Sequence, residues 1–252
     1  MTSLIYLFQT ATTKGGNVSA GAILILLLSG CAAPERSAST DKKAVPASAS
    51  VTTTPGSTQN DKPAGNPFPQ TRDWVSLFDG KTLKGWAITD FAGHGEVTAA
   101  DGKLVLGNGV MTGITWTNDI PRINFEVELE AMRVDGSDFF CGLTFPVGQS
   151  PCSLIIGGWG GGVVGISSLD GEDAANNETT KYMSFENGRW YIIRLRVMPT
   201  TIQAWIDGDK VVDVVTTGRK ISIRSEVELS VPFGIATWST TGAIRNLRLR
   251  RL

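Results

Sequence analysis

The sequence predicts an all-β domain over residues 71–252, with the architecture of a β-sandwich or jelly roll. Three observations lead to this prediction: short segments alternate apolar and polar residues, Gly, Asp and Asn separate these segments, and no stretch of a dozen residues shows helical spacing. Alternation with a period of two is typical of a half-buried strand, because successive side chains point to opposite faces. Roughly a dozen short strands joined by turns usually form two packed sheets.

The amino-terminal residues 1–30 predict a lipoprotein signal peptide. An unbroken apolar run over 22–28 is followed by Ser29, Gly30 and Cys31. The run is much shorter than the ~20 residues of a membrane-spanning helix, but it suits the apolar region of a signal peptide. The sequence around Cys31 resembles the bacterial lipobox, in which small residues precede a cysteine that takes a lipid. We therefore expect Cys31 to be lipidated; the alternative is an ordinary cleaved signal with an incidental cysteine.

Residues 31–70 predict a disordered linker. The segment is rich in Ala, Ser, Thr and Pro, and Val45 and Val51 are its only larger aliphatic residues before Phe68. Such a composition cannot bury enough apolar surface to offset the entropy of ordering.

The residue after the predicted lipidation site bears on where the protein is anchored. Ala32 is not the aspartate associated with inner-membrane retention. We therefore expect a lipid anchor in the cell envelope, in the outer membrane or facing the periplasm.

The strongest strand signals in the domain are two runs of strict alternation and one hairpin. The runs 122–134 and 190–198 each place their apolar residues on one face. The hairpin joins 201–206 to 210–215 through Asp207-Gly208-Asp209, where glycine accepts the positive φ that a tight turn requires. Further strands are predicted at 103–107, 111–117, 138–146, 152–157, 163–167, 227–236 and 243–251.

Four short motifs resemble the 3-keto-disaccharide hydrolase domain family. The opening motif is Leu77-Phe78-Asp79-Gly80-Lys81-Thr82-Leu83-Lys84-Gly85-Trp86, and the later stretches are 100–104, 187–190 leading to 205–208, and 244–249. Together they span most of residues 73–252. The resemblance implies a concanavalin- or laminin-G-like jelly roll with a carbohydrate-directed role outside the cytoplasm. It also implies cleavage of 3-keto-glycosides, by removal of the C2 proton and loss of the C1 oxygen.

The middle of the domain departs from the pattern of that family. Its members tend to carry a polar strand of the Glu-x-Gln-x-x-Asp type before a Gly-Ala-Leu-Tyr-like turn, whereas residues 152–165 are mostly apolar and glycine here. The catalytic positions of the family are therefore not transferred to this chain. Two functions are expected: an enzyme that cleaves 3-keto-glycosides, or a non-catalytic glycan-binding or envelope scaffold module.

Two neighbouring loops supply most of the candidate sugar-binding residues. Trp159 lies among six glycines in 157–165, where its indole could stack on the apolar face of a sugar ring. The alternative is a tight turn whose tryptophan folds into the core. The second loop, 170–178, offers Asn176 and Asn177 to sugar hydroxyls, and its oxygen atoms would also suit Ca²⁺. This loop has a plain alternative as a hydrophilic surface segment.

The candidate catalytic bases are the acids of the second loop and the single histidine of the chain, namely Asp170, Glu172, Asp173, Glu178 and His94. A carboxylate or an imidazole could remove the C2 proton that a C3 ketone acidifies. A lone loop histidine is more often incidental. No metal cofactor is predicted, apart from the Ca²⁺ alternative for the second loop.

A further set of acids, Glu126, Glu128 and Glu130, shares one face of a predicted strand. Jelly-roll glycosidases carry a similar ladder, in which one carboxylate attacks and another protonates the leaving oxygen. The alternative is a solvated face that pairs across strands with Arg194 and Arg196.

The other tryptophans are assigned by their strand positions. Trp116 and Trp238 are candidates for the concave face, and Trp238 is included among the substrate-binding residues. The core is the expected location of Trp74, Trp86, Trp190 and Trp205.

The cysteines at 141 and 152 are predicted to be free and buried. If residues 146–151 form a hairpin turn, Cys141 lies opposite residue 156 and Cys152 opposite residue 145. The two are then about 13 Å apart at ~3.3 Å per residue, which is too far for a disulfide.

The charge balance excludes a nucleic-acid partner. Lys and Arg total 23 against 24 Asp and Glu, a formal net charge of −1, so the chain as a whole lacks a basic footprint. The expected partners are a carbohydrate or glycoside ligand and, through the anchor, a membrane.

Overall fold

The computed structural model describes residues 72–252; the predicted signal peptide and linker lie outside the described residues. Two antiparallel sheets account for the strands of this region, which confirms the predicted β-sandwich. The strands are β1 (Val75–Ser76), β2 (Trp86–Ile88), β3 (Val97–Ala100), β4 (Lys103–Leu106), β5 (Met111–Trp116), β6 (Phe125–Gly136), β7 (Cys141–Val147), β8 (Ser150–Gly158), β9 (Val163–Ser167), β10 (Lys181–Tyr182), β11 (Trp190–Val197), β12 (Thr201–Ile206), β13 (Asp209–Val215), β14 (Gly234–Trp238) and β15 (Thr240–Arg251).

Both sheets mix strands from distant parts of the sequence. The first sheet has the order β13-β12-β11-β6-β15-β4-β3, with β1 paired to β15. The second sheet has the order β10-β9-β8-β7-β14-β5-β2. Strand β15, the last strand along the sequence, therefore lies in the middle of the first sheet, between β6 and β4.

The core lies between the inner faces of the two sheets. Alternate residues of β6, namely Phe125, Val127 and Leu129, are fully buried, as the alternation predicted. Leu143 and Leu154 meet them from the second sheet and belong to the same apolar cluster. Burial of a large aliphatic or aromatic side chain contributes about 1.5–3 kcal/mol, so this interior is the main source of stability.

The opening motif folds into a tight turn. The carboxylate of Asp79 accepts hydrogen bonds from the backbone N–H groups of Lys81 and Thr82 and from the Thr82 hydroxyl. These bonds lower the pKa of Asp79 to about 2. At the end of the motif, Trp86 Nε1 donates a hydrogen bond to the Leu77 carbonyl at 2.7 Å. The motif is therefore structural, since its polar groups bond to one another.

The strand predicted at 227–236 is wrong over its first half. Residues Ser225–Ser230 form a 3-10 helix, and β14 begins only at Gly234. The apolar residues at 227, 229 and 231 imitate a strand, but Val227 is buried while Leu229 and Val231 are exposed. Pro232 has no N–H to donate, so it interrupts a ladder at this point.

The predicted positions of the tryptophans need correction. Trp86 is buried as expected, and Trp116 packs against it with ring centroids 5.1 Å apart, in the core rather than on the concave face. Trp74, Trp190 and Trp205 are only partly buried and lie on the outer face of the first sheet. Trp190 and Trp205 fall on the outward phase of their strands, opposite the buried Tyr191 and Ile206, and arginine side chains lie over the three outer rings.

The cysteine prediction is confirmed in its register. Cys141 lies opposite Ile156 and Cys152 lies opposite Phe145 in the β7–β8 hairpin. Both thiols are free and buried. Burial raises the pKa of each to about 12, so neither is a thiolate near neutral pH.

Candidate functional site

A cavity of about 230 Å³ opens on the outer face of the second sheet. Strand alternation sets this face apart from the core: in β8, Ser153 and Ile155 line the cavity while Leu154 and Ile156 point into the interior. The 3-10 helix crosses the same face. Six apolar or aromatic side chains and five polar ones form the wall, namely Met111, Phe139, Ile155, Trp159, Val227 and Trp238 with Asp138, Ser153, Ser167, Arg224 and Glu226.

Trp159 stands at the tip of the glycine-rich turn that joins β8 to β9. Trp159 is 44% exposed, so it does not lie in the core; its binding role stays a prediction. The backbone at Trp159 has φ +50°, and glycine is required beside it: a Cβ on Gly157 would lie 2.6 Å from Arg133 Nη2. The turn therefore presents an indole to the cavity on a tightly packed support.

Arg133 holds this turn from below. The residue is 5% exposed, and its Nη2 donates hydrogen bonds to the carbonyls of Gly161 at 2.8 Å and Gly157 at 3.3 Å. Its guanidinium also lies over the Phe140 ring, 5.2 Å from the centroid. Burial lowers the pKa of Arg133, although the nearby charge of Asp138 opposes this effect. Backbone carbonyl oxygens and aromatic rings therefore surround the buried guanidinium of Arg133. The same guanidinium holds both ends of the turn, at Gly157 and Gly161, in place.

Asp138 fastens the same turn from the cavity wall. One carboxylate oxygen accepts a hydrogen bond from the Gly160 N–H at 3.0 Å, and the other accepts from the Phe139 N–H at 2.7 Å. Because Asp138 also lines the cavity, its fixed carboxylate is available to a ligand hydroxyl. The side chain of Asp138 therefore links the Trp159 turn to the cavity wall.

On the opposite wall, Arg224 joins two carboxylates. Its Nη1 donates to Asp173 at 2.9 Å and its Nη2 donates to Glu226 at 2.6 Å. The hydrogen bond from Arg224 lowers the pKa of Glu226, against the opposing effect of burial. Glu226 is therefore an anion near neutral pH and keeps a 41% exposed side chain. Arg224 is the one cationic side chain among the described residues that line the cavity.

The acids predicted as catalytic bases do not line the cavity. Asp170 and Glu178 both form ion pairs with Arg219. The pKa of Asp170 is lowered first by the hydrogen bond from the Lys220 backbone N–H and then by Arg219, and the pKa of Glu178 is lowered by Arg219. Glu172 is exposed. Asp173 touches the site only through Arg224. Ion pairs between the acids of this loop and two arginines outside it, Arg219 and Arg224, hold the loop together. Sequence spacing alone does not indicate these pairs.

The predicted amides also serve the loop itself. Asn177 Nδ2 donates to the carbonyls of Ile166 and Asp173, both at 2.8 Å, and Asn176 Nδ2 donates to the Asp173 carboxylate at 2.8 Å. Neither asparagine lines the cavity. Both are therefore corrected from substrate-binding to loop-stabilising residues.

His94 lies apart from these residues. It is exposed, its Nδ1 lies 2.9 Å from the Gly95 carbonyl, and it is not part of the cavity wall. Trp238, in contrast, lines the cavity as predicted. The structure thus brings Trp159 and Trp238 to the same cavity and places His94 outside that cavity.

Sequence reasoning missed all three charged residues of the cavity wall: Asp138, Arg224 and Glu226. They come from the β6–β7 turn, the segment before the 3-10 helix and the helix itself. Asp138 and Glu226 are more than 80 positions apart, so no local sequence pattern indicates that the two acids share a site. The misread strand at 227–236 hid the helix that brings Glu226 over the sheet.

The Glu126, Glu128 and Glu130 ladder lies on the opposite side of the sandwich from the cavity. The predicted cross-strand pairing holds for Glu126, which pairs with Arg196, but Glu126 is fully buried and not solvated. Arg194 faces Glu128 in the strand register, but Glu128 pairs instead with Arg248 from β15. A catalytic ladder is therefore not supported on this face.

Within residues 72–252, no cluster of three or more His, Cys, Asp or Glu side chains is placed to hold a metal ion. No helix in this part of the chain is long and apolar enough to cross a bilayer.

Comparison with known protein families shows which family the chain belongs to. Residues 73–250 match the 3-keto-alpha-glucoside-1,2-lyase-like domain. The chain belongs to this family. Its membership makes this a carbohydrate-active type of domain, and it agrees with the resemblance found in the sequence motifs. No curated protein matches the chain.

Solved structures similar to this 3-keto-alpha-glucoside-1,2-lyase-like domain share little sequence, so they show the fold alone. Crh5 transglycosylase is similar with a TM-score of 0.51 and 10% identity, over 74% of this chain and 87% of that protein. The carbohydrate binding module CBM66 from Bacillus subtilis gives 0.46 and 12%, over 70% and 99%. Domain 4 of the arabinanase AbnA from Geobacillus stearothermophilus, in complex with arabinotriose, gives 0.44 and 16%, over 66% and 82%.

The family motifs and the cavity occupy different parts of this lyase-like domain. None of the cavity residues falls in the four motifs that carry the resemblance. The opening motif makes a turn, and the ending is the central strand β15. The family motifs therefore lie in the framework of the sandwich and not around the cavity.

Proposed function

We propose that the domain binds a sugar residue in the Trp159–Trp238 cavity and cleaves a 3-keto-glycoside there. The observation that carries this proposal is the composition of the cavity: two tryptophans beside an acid and an arginine on one wall and a second acid on the other. Carbohydrate sites combine an apolar platform with a few fixed polar groups. At about 230 Å³, the cavity is smaller than the ~300–1,000 Å³ of sites for drug-sized ligands, which suits a single sugar ring.

The chemistry of the proposed reaction needs a base and a group that stabilises an enolate. A ketone at C3 acidifies the proton on C2. A base removes that proton, the electron pair forms an enolate with C3, and its collapse expels the oxygen on C1 as a C1–C2 double bond forms. The departing oxygen takes up a proton, and addition of water at C1 completes hydrolysis.

Glu226 is the proposed base and Arg224 the proposed stabiliser of the enolate oxygen. Glu226 fits because its 41% exposed carboxylate lines the cavity and is ionised near neutral pH, the form that accepts a proton. Arg224 fits because a cation aimed at a developing oxyanion lowers the barrier. Asp138 has both oxygens bound by backbone N–H groups, and its proposed role is to hold the Trp159 turn and one sugar hydroxyl.

The test uses a 3-keto-glucoside with a chromogenic leaving group, and two matched variants. Glu226→Gln should lower kcat by about 10²–10⁴-fold, the usual contribution of a general base. Glu228→Gln is the control, because Glu228 lies exposed on the same 3-10 helix and does not line the cavity. Full activity of Glu226→Gln would remove Glu226 as the base. Failure of the unmodified chain to release product or exchange the C2 proton with D₂O would remove the reaction.

A non-catalytic glycan-binding module is the second candidate. It is favoured by the bonding of the two cavity acids: Glu226 is ion-paired with Arg224 and Asp138 accepts two backbone N–H groups. Carboxylates held in this way act well as fixed acceptors for sugar hydroxyls. In that case a glycan array should show binding without turnover, and Glu226→Gln should change affinity only.

A further inference from the structure

The outer face of the first sheet, on the far side of the sandwich from the cavity, carries an excess of positive charge. Three adjacent strands, β11, β6 and β15, form its centre. Their outward ionisable side chains are five arginines and three glutamates, namely Arg194, Arg196, Arg245, Arg248 and Arg250 with Glu126, Glu128 and Glu130. The overall net charge of −1 conceals this local surplus of two cations.

The glutamates are all engaged by arginines from neighbouring strands. Glu126 is fully buried and pairs with both Arg196 and Arg250, and Glu128 pairs with Arg248. In the same way Glu130 pairs with Arg245.

The surplus charge is concentrated at two places on this face. Arg194 forms no ion pair with the described carboxylates, and its Nε is buried without a hydrogen-bond partner among residues 72–252. Around Glu126, Arg196 and Arg250 supply two cations for one carboxylate.

Three tryptophans lie between these cations. Trp74 has the guanidinium of Arg250 at 4.6 Å from its ring centroid, and Trp190 has that of Arg245 at 4.1 Å. Trp205 has Arg194 at 5.3 Å and Arg196 and Lys210 at slightly longer distances. A guanidinium that stacks on a ring keeps its N–H edge for a carboxylate or sulfate, and the part of each indole that stays exposed can contact the C–H face of a sugar.

The face also has the extent of a chain-binding surface. Trp205 on β12 and Trp74 beside β1 are separated by four strand spacings across β11, β6 and β15, about 19 Å at ~4.8 Å per spacing. Next to Trp74 is a groove of about 380 Å³ lined by Ser76, Asn246 and the 50% exposed Ile192, together with Arg248 and the ion-paired Glu128 and Glu130. These dimensions suit several consecutive sugar residues, whereas the cavity on the other sheet suits one.

We propose that this arginine–tryptophan face binds an acidic polysaccharide, one whose sugars carry carboxylate or sulfate groups. The charge surplus selects an anion. The three indoles favour sugar rings over lipid because they are already partly buried on a flat sheet, whereas a protein bound at a membrane surface inserts an apolar face into the headgroup boundary. The proposal does not depend on the reaction proposed for the cavity. It predicts two glycan contacts on opposite sheets of one domain.

The test measures binding of the purified chain to polygalacturonate, dextran sulfate and neutral dextran by isothermal titration calorimetry. We expect binding to at least one of the two charged polymers, weakening as NaCl rises because exposed charges are screened, and no binding to dextran. The variant Arg194→Gln/Arg248→Gln should bind at least about tenfold more weakly, through the loss of charge-assisted contacts. Arg219→Gln is the control, with the same charge change per residue on a loop that is not part of this face, and should bind within about twofold of the unmodified chain.

Three outcomes would overturn the proposal. Equal binding of dextran and the charged polymers would show that charge plays no part. Equal loss in the Arg219→Gln control would show a nonspecific charge effect. Binding only to phosphatidylglycerol vesicles, and to neither polysaccharide, would assign the face to a membrane. Melting temperatures of the variants, measured alongside, show whether each remains folded, and Arg194→Gln alone breaks no ion pair and serves where the double variant unfolds.

Discussion

Replacing Arg133 with methionine tests how the candidate site is supported. Methionine is similar in length but has no N–H group, so Arg133→Met removes the donors while it preserves much of the packing against Phe140. Four backbone carbonyls lose a donor. Three of them have short contacts, those of Gly161 at 2.8 Å, Asp138 at 3.2 Å and Gly157 at 3.3 Å, and the fourth is that of Phe185 at 3.5 Å. Two of these lie in the turn that carries Trp159.

The magnitude follows from those contacts. A buried acceptor left without its donor costs about 1–3 kcal/mol, so the three with short contacts cost about 3–9 kcal/mol. The change also removes a buried cation, whose desolvation costs several kcal/mol and offsets part of the loss. We expect a net decrease of about 2–4 kcal/mol in the free energy of unfolding. For a domain of this size that is a fall of about 4–16 °C in Tm, at roughly 2–4 °C per kcal/mol.

Thermal unfolding by differential scanning calorimetry and hydrogen exchange of residues 157–162 are the two readouts. Arg189→Met is the control, because Arg189 has a 52% exposed side chain with one surface ion pair and should change stability by less than about 1 kcal/mol. The backbone amides of the turn should exchange faster in Arg133→Met and unchanged in the control. A lowered Tm with unchanged exchange in the turn would refute the view that Arg133 holds Trp159 in place.

Three further predictions concern acid stability, the exposed tryptophan and the anchor. Although burial raises the pKa of Glu126, hydrogen bonds from Arg250 and Arg196 lower it overall. Its stabilisation should be present above the ordinary pKa of 4.5 and be lost as pH falls through the lowered value; Glu126→Gln should flatten the dependence of Tm on pH in this range, and an unchanged slope would contradict it. Trp159→Ala should weaken sugar binding about 5- to 150-fold with little change in Tm, whereas a large drop in Tm would place the ring in the core. Cys31→Ser should move the protein from the membrane fraction to the soluble fraction, and retention at the membrane would disprove lipidation.

Much of the strand pattern could be read from the sequence because burial repeats every two residues. Phe125, Val127 and Leu129 alternate with charged residues, and the structure buries them in that order. The cysteine register followed from one assumed turn and the fixed rise of a strand. Prediction failed at 225–230, where the same alternation occurs in a 3-10 helix before Pro232.

The candidate site was predictable only in its aromatic half. A tryptophan among glycines indicates an exposed ring, and both Trp159 and Trp238 do line the cavity. The acids were assigned to the loop 170–178 because acidic residues are dense there. In the structure that density is neutralised by Arg219 and Arg224, which are distant in sequence, so local composition misled.

The sequence by itself determined the class of the fold, the strand faces that form the core and the family, because these depend on patterns within one strand or one turn. Only the tertiary structure decided which groups meet across the sandwich. Asp138 and Glu226 come to one cavity because β7 and β14 are adjacent in the second sheet and the 3-10 helix precedes β14. The arginines of β15 reach the glutamates of β6 because the carboxyl-terminal strand inserts beside a strand more than 100 residues earlier. Such pairings depend on the order of strands in a sheet, which no local period in the sequence records.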